Sequence, residues 1–187
     1  METKGEVIDF RAIGLGERYV FTTTAEETNG ELVVMKAILS PNTPWSGPPH
    51  LHREQEEQYE VLSGTLDVLL DGEKQKLQAG ERLVVPVGVS HTFGNYNDEE
   101  VHFISEHRPA LRFQEMMEAW YAPVKAGHLE KANSVKGLLM YAAVAQDYER
   151  EIVFANPVLR LLQRVLAKLG RALGYGRARD LRASGGT

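Results

Sequence analysis

His50, His52, Glu57 and His91 are the side chains of this sequence best suited by type and spacing to act together on a metal ion. The first three fall within eight positions, in the stretch Gly47-Pro48-Pro49-His50-Leu51-His52-Arg53-Glu54-Gln55-Glu56-Glu57. An extended chain turns alternate side chains to one face, so His-x-His sets two imidazoles side by side on a strand. Glu57, Tyr59 and Val61 continue on one face until Gly64, a residue suited to a turn with positive φ. His91 follows Glu57 by thirty-four positions, in a segment rich in Gly and Pro that runs from Gly80 to Asn95. Three neutral imidazoles and one carboxylate would leave a divalent ion with about one net positive charge, and an octahedral ion with about two open positions. The chain has no Cys, so nitrogen and oxygen must supply every ligand. Such donors admit Fe, Mn, Ni, Co, Cu or Zn, with Fe(II) or Mn(II) the expected ion of a redox-active site. Glu56 could stand in for Glu57, but the alternation with Tyr59 and Val61 favours Glu57. Glu54, Glu56 and Glu60 read as a solvated acidic edge.

These two segments resemble the paired signatures of the cupin superfamily. The first is His-x-His, three or four residues, Glu, six residues, Gly, and Glu57 and Gly64 meet its spacing. The second is Gly, five residues, Pro-x-Gly, two residues, His, three residues, Asn, met at Gly80, Pro86, Gly88, His91 and Asn95. One position departs: the family carries a Gly six residues before its first His, where this sequence has Pro44, with Gly47 nearer. The short spacer between Gly64 and Gly80 is similar to that of compact microbial members, and the likeness covers roughly residues 31 to 107. The resemblance implies a mainly β, RmlC-like fold, a double-stranded β-helix or jelly-roll barrel. It also implies that His50, His52, Glu57 and His91 are the metal ligands.

The local sequence reads the same way. Tyr19 to Thr28 and Glu31 to Leu39 are extended runs joined by Asn29-Gly30, and Thr65 to Leu70 and Glu73 to Leu77 flank Asp71-Gly72. Both dipeptides are strong hairpin signals. Val101 to His107 is a further strand candidate, and short strands at this interval favour a barrel over an α/β fold.

From Pro109 onward the period changes. Phe113, Met116, Met117, Trp120 and Tyr121 define one apolar helix face, which Pro123 and Gly127 are expected to end. A second helix is expected over about Asn133 to Val153. Asn156-Pro157 starts a third, with a side-chain cap and a preset φ, that runs to Gly174 and Gly176. On it Val158, Leu161, Leu162, Val165, Leu166, Leu169 and Leu173 form a stripe opposed by Arg160, Arg164, Lys168 and Arg171. The organisation expected is a β-barrel domain over 1–108, an extension of about three helices over 109–175 and a disordered tail over 176–187.

The net charge of −5 conceals an asymmetry: the last 31 residues hold seven Lys and Arg against one Asp, the preceding 156 hold 14 against 25 Asp and Glu. An acidic barrel is poorly matched to phosphate, so nucleic acid is not the expected partner. The basic helix over 157–173 is expected to dock on a barrel, its own or a partner's, ahead of weak contact with an anionic membrane surface. That stripe and exposed strand edges favour a homodimer. The first residues lack the basic start and apolar core of a signal peptide and no apolar run approaches the ~20 residues that span a bilayer, so the expected compartment is the cytoplasm.

Beside the ligands, Tyr59, Phe93, His102 and Glu106 are candidates for substrate contact, with Glu57, Tyr59 and His102 as catalytic candidates. His102 and Glu106 face the cavity in one register, whereas the opposite register turns Phe103 inward and leaves both in water. His107 and His128 read as surface residues, and Trp45 as either a mouth-lining aromatic or a packing contact. Fold and metal do not determine reaction. The first expectation is a dioxygenase-like reaction on a small chelating anion, an enol or carboxylate, or a related isomerase or lyase reaction without oxygen. The alternative is a non-catalytic module that binds or senses a small molecule.

Overall fold

The computed structural model describes residues 7–175, and the tail expected over 176–187 lies outside them. Eleven strands and three α-helices follow one another: β1 (Val7–Asp9), a 3-10 turn (Phe10–Ile13), β2 (Glu17–Thr23), β3 (Val33–Leu39), β4 (His50–Leu51), β5 (Glu56–Ser63), β6 (Thr65–Leu70), β7 (Glu73–Gln78), β8 (Arg82–Val85), β9 (His91–Gly94), β10 (Val101–Arg108), α1 (Phe113–Lys125), α2 (Val135–Ala145), β11 (Val153–Phe154) and α3 (Pro157–Ala172). The strands form two antiparallel sheets, in the orders β1-β2-β3-β10-β5-β8 and β11-β4-β9-β6-β7. This is the two-sheet form of a jelly roll.

Turn chemistry accounts for much of the register. Asp71 and Gly72 both take positive φ, 48° and 86°, and close β6 on β7 in a two-residue hairpin. Asn29 and Gly30 are also left-handed, yet the connection they close is longer than a two-residue hairpin because β2 ends at Thr23 and β3 begins at Val33. Gly64 sits where an added Cβ would lie 2.7 Å from the Glu100 carbonyl oxygen, so that turn admits only glycine. Asn95, fully buried, donates from Nδ2 to the carbonyls of Ser40 and Glu99 and ties β3 to the loop before β10.

The two sheets meet through an aromatic trio. Tyr59 and Phe103 come from neighbouring strands of one sheet and Phe93 from the other, with ring centroids 5.3 to 5.7 Å apart in edge-on contact. Such packing adds about 0.5–1.5 kcal/mol per pair to the burial of the rings. Along β10 the residues Val101, Phe103, Ser105 and His107 face inward. His102 and Glu106 therefore point outward, the second of the two registers open from sequence. Burying Phe103 decides it, since the opposite register would exchange a buried ring for two polar groups.

Three expectations for the C-terminal part need correction. α1 runs through Pro123 to Lys125 and does not end before it. α2 stops at Ala145, not near Val153, and the chain turns through the buried Tyr148 into β11, which pairs with Leu51 and His50 of β4. Val153 and Phe154 suit that edge position, because β-branched and aromatic side chains pack well on a pleated surface. Lastly, α3 does not bury its leucine stripe on its own barrel. It packs on α2 through Gln163, Ala167 and Gly170, with Gly170 so close that a Cβ would stand 2.7 Å from the Leu139 carbonyl oxygen. Val158, Leu161, Leu162, Val165, Leu169 and Leu173 remain between 47 and 71 % exposed. Small residues permit the close helix contact, and most of the leucine stripe lies on the part of the helix that contact leaves open. No helix among the described residues is long and apolar enough to cross a membrane.

Candidate functional site

His50 on β4 stands directly opposite His91 on β9, and His52 follows one residue beyond the end of β4. The Gly88 N–H donates to the His52 carbonyl at 2.8 Å, so the Pro-x-Gly turn of the second motif holds the backbone of the first. Glu57 comes from the other sheet, on β5, with Tyr59 and Val61 on the same inward face as the alternation predicts. All four side chains are buried, and one potential ligand atom from each lies within 4.8 Å of the others.

The donor set fits a cation. His50 Nδ1 is 3.4 Å from the Pro48 carbonyl, His91 Nδ1 is 3.0 Å from the Val89 carbonyl, and His52 Nδ1 contacts the Glu151 carbonyl. A carbonyl oxygen only accepts, so each Nδ1 carries the proton, which leaves each Nε2 with a lone pair able to ligate a cation. Nε2 of His52 and His91 lies 3.2 and 2.9 Å from Glu57 Oε2. An imidazole lone pair facing a carboxylate oxygen is stable only with a cation between them or a second proton on the ring. A divalent ion meets that need at all four groups at once.

Burial alone would raise the Glu57 pKa. The neighbouring His107, His52 and His91 outweigh it and hold the carboxyl well below its usual range. Burial opposes protonation of His91 too, but the hydrogen bond and charge of Glu57 leave its pKa raised. His50 is pushed well below the usual range, first by burial and then by His91 and His52. A carboxylate among imidazoles is the charge state a metal centre needs.

Further groups fix the carboxylate. Tyr59 donates its hydroxyl to Oε2 at 3.0 Å, and Ser105 donates to Oε1 at 2.8 Å. The Ser105 hydrogen is then spent, so His107 Nε2, 3.1 Å from Ser105 Oγ, must be the donor in that contact. This makes a chain from His107 through Ser105 to Glu57. His107 is thus not the surface residue expected: it is 1 % exposed, stacks on Phe113 at 3.5 Å between centroids, and burial pushes its pKa down to about 3. Its parity with Phe103 along β10 was the signal available in sequence. His102, the catalytic candidate, bonds Glu100 on the outer face, and Glu106 pairs with Arg108. Neither reaches the site. Trp45 packs edge-on against Tyr96, and His128 is exposed as expected.

The donor cluster opens on a cavity of about 390 Å³, lined by His50, His52 and Glu57 at one part and by Phe113, Trp120 and Tyr141 of α1 and α2 at another. Glu17 of β2 also lines it, a buried carboxyl that the sequence reading did not single out. Burial raises its pKa, with hydrogen bonds from Ser46 and Tyr19 opposing the rise. Nothing in the local sequence marks Glu17, because its burial depends on segments distant in the chain.

Residues 36–105 match the family model described as Cupin domain. Polyketide synthase CurC of Streptomyces cyaneus is 40% identical over 55 residues, 29% of this chain and 36% of the relative. Quercetin 2,3-dioxygenase of Bacillus subtilis is 34% identical over 86 residues, 43% of this chain and 25% of the relative. The chain therefore spans only about a quarter to a third of the length of these two curated relatives. Among solved structures, an RmlC-like cupin from Shewanella frigidimarina superposes with a TM-score of 0.49 and 24% identity, covering 59% of this chain and 89% of that one. The matched residues 36–105 carry all four convergent donors, so the likeness to the Cupin domain family and the candidate site coincide in the chain.

Proposed function

We propose that His50, His52, Glu57 and His91 hold a divalent ion, Fe(II) or Mn(II) in preference to Ni, Co, Cu or Zn, and that the protein is a metal-dependent enzyme with dioxygenase-like activity on a chelating anionic substrate. The observation that carries this reading is the convergence of the four buried donors, with their tautomers set by backbone carbonyls, at a largely apolar cavity. The partial match to a quercetin 2,3-dioxygenase supports the oxygenase class.

A bound divalent ion supplies Lewis acidity toward a substrate oxygen anion and, when redox-active, electron transfer to dioxygen. The chain's own groups do the rest. The carbonyls of Pro48, Val89 and Glu151 orient the imidazoles, and Tyr59 and Ser105 hold both oxygens of Glu57. Apolar walls exclude water, which strengthens every polar interaction inside. Glu57 is pushed toward the carboxylate and Glu17 toward the carboxylic acid, and two carboxyls driven apart in one cavity are suited to opposite proton-transfer roles. Glu17 is the acid–base group outside the donor set, a better candidate than His102.

The helix over 157–173 supports assembly as a homodimer. Its stripe is open, whereas three of its four cations are engaged within the chain: Arg164 pairs with Glu149, Arg171 with Asp147, and Arg160 caps the Phe154 carbonyl. A membrane-binding helix needs such cations free for headgroups, so a second copy is the favoured partner.

The test is metal analysis of protein purified without added metal salts, followed by oxygen-electrode screening against chelating enols and carboxylates. About one ion per chain, lost in His52→Ala, with oxygen uptake that depends on substrate, is the expected result. Metal content unchanged in His52→Ala refutes the ligand set. Ligand binding with no turnover of any kind assigns the chain to non-catalytic binding instead.

A further inference from the structure

The described residues that line the cavity of about 390 Å³ include two carboxyls, Glu17 and Glu57, and no Lys or Arg. Glu57 is ringed by His52, His91 and His107, whereas the polar groups acting on Glu17 are the hydroxyls of Ser46 and Tyr19. Tyr19 donates to Glu17 Oε2 at 2.9 Å; Oε1 is neither so engaged nor among the buried polar atoms without a partner, and thus keeps surface toward the cavity that Glu17 lines. Ser46, Gly47 and Pro48 line the cavity beside it, and Gly47 and Pro48 are exposed, so Glu17 is reached from the open side. In the sheet, β3 and β10 stand between the strands of Glu17 and Glu57, a separation of three strand spacings, roughly 14 Å between backbones.

We infer that Glu17 is a cation-recognition site, and that the ligand carries a single negative charge at the donor cluster and a basic nitrogen at the end that meets Glu17. A buried carboxyl is satisfied by pairing with a cation or by keeping its proton, and the chain places no cation in this cavity. Neutral donors Glu17 already has in Tyr19 and Ser46; the missing complement is a positive charge. The walls point the same way, since the rings of Phe10, Tyr19 and Phe93 attract an ammonium and offer nothing to an anion. A second carboxylate or a phosphate on the ligand would lose its water with no cation to pair it. Protons balance by either route: a nitrogen that enters as a free amine takes the proton of Glu17, and one that enters as ammonium leaves that proton to water. The anionic end of this ligand rests on the metal-centre reading above; the pairing at Glu17 does not.

The test measures the binding of 2-naphthoic acid, 6-(aminomethyl)-2-naphthoic acid and 2,6-naphthalenedicarboxylic acid by isothermal titration calorimetry, on protein whose metal content is counted in parallel. The three probes share one frame and differ in the charge of the far group. The expected result is binding about tenfold tighter for the amine and about tenfold weaker for the dicarboxylate than for 2-naphthoate. In Glu17→Gln the gain from the amine falls below about twofold while 2-naphthoate binding is retained. Far-UV circular dichroism shows whether that variant is folded, and the order of the three probes on the parent chain decides by itself if it is not. Equal binding of amine and 2-naphthoate, a gain that survives Glu17→Gln, a dicarboxylate bound as tightly as 2-naphthoate, or no binding of any probe overturns the inference. The metal count decides the donor-cluster reading separately: one ion per chain with no preference for the amine leaves that reading standing and removes this one, and a preference for the amine with no ion does the reverse.

Discussion

The Nδ1–H of His52 donates to the backbone carbonyl of Glu151, 99 residues further along the chain. A side chain of the first cupin motif is thus oriented from outside the matched segment 36–105. The strand β11 makes this possible by pairing Val153 with Leu51 and Phe154 with His50, which brings the preceding residue pair against the donor cluster.

Glu151 is held in turn by its own carboxylate, which accepts from the Arg112 N–H at 3.1 Å at the start of α1. Glu151→Ala leaves the carbonyl in the chain but removes that anchor. Outer partners of metal-binding histidines are worth about 10- to 100-fold in affinity. We expect metal affinity to fall about tenfold, measured by competition with a chromophoric chelator, with the fold intact by circular dichroism.

Phe103 is fully buried between Tyr59 and Phe93 and decides the register of β10. Phe103→Ala should cost about 3–5 kcal/mol, read from denaturant unfolding, because the aromatic trio cannot close around the cavity left behind. His102→Ala, on the outer face, should change stability by less than about 0.5 kcal/mol and leave metal affinity unaltered.

Glu17 carries a pH-dependent prediction. Its pKa in the folded chain is raised above 4.5 by burial, so the folded state holds its proton more tightly than the unfolded state. The contribution of this group to stability is therefore complete below its unfolded pKa and is lost as pH rises through the folded one. Glu17→Gln cannot ionise and escapes that loss. The melting temperature of the variant relative to the parent should rise between pH 4 and pH 8; a difference independent of pH would show that Glu17 titrates normally.

The exposed stripe of α3 predicts the assembly. Multi-angle light scattering should report a dimer for the parent chain and a monomer for the double variant Leu162→Glu, Val165→Glu, with unfolding temperature little changed because both residues are exposed. A monomeric parent that co-sediments with anionic vesicles would move the stripe's partner from protein to membrane.

Much of the site was legible in one dimension. The spacing of His50, His52 and Glu57 carries the period of a strand, so their common face follows from local geometry alone, and the Gly and Pro around His91 mark the turn that returns it. The hairpin at Asp71-Gly72 and the cap at Asn156 were legible for the same reason: a few adjacent residues settle each of them. The inward turn of His107, the outward turn of His102, the burial of Glu17 and the open stripe of α3 were not. Each depends on which distant segment lies alongside, and a one-residue slip of β10 would exchange His102 for Phe103 with little change in local propensity. Sequence by itself determined which side chains could gather around an ion, since period and turn chemistry are local. Only the tertiary structure decided what walls the cavity and what clamps His52, because burial and long-range hydrogen bonds arise when β11 and the helices close against the sheets.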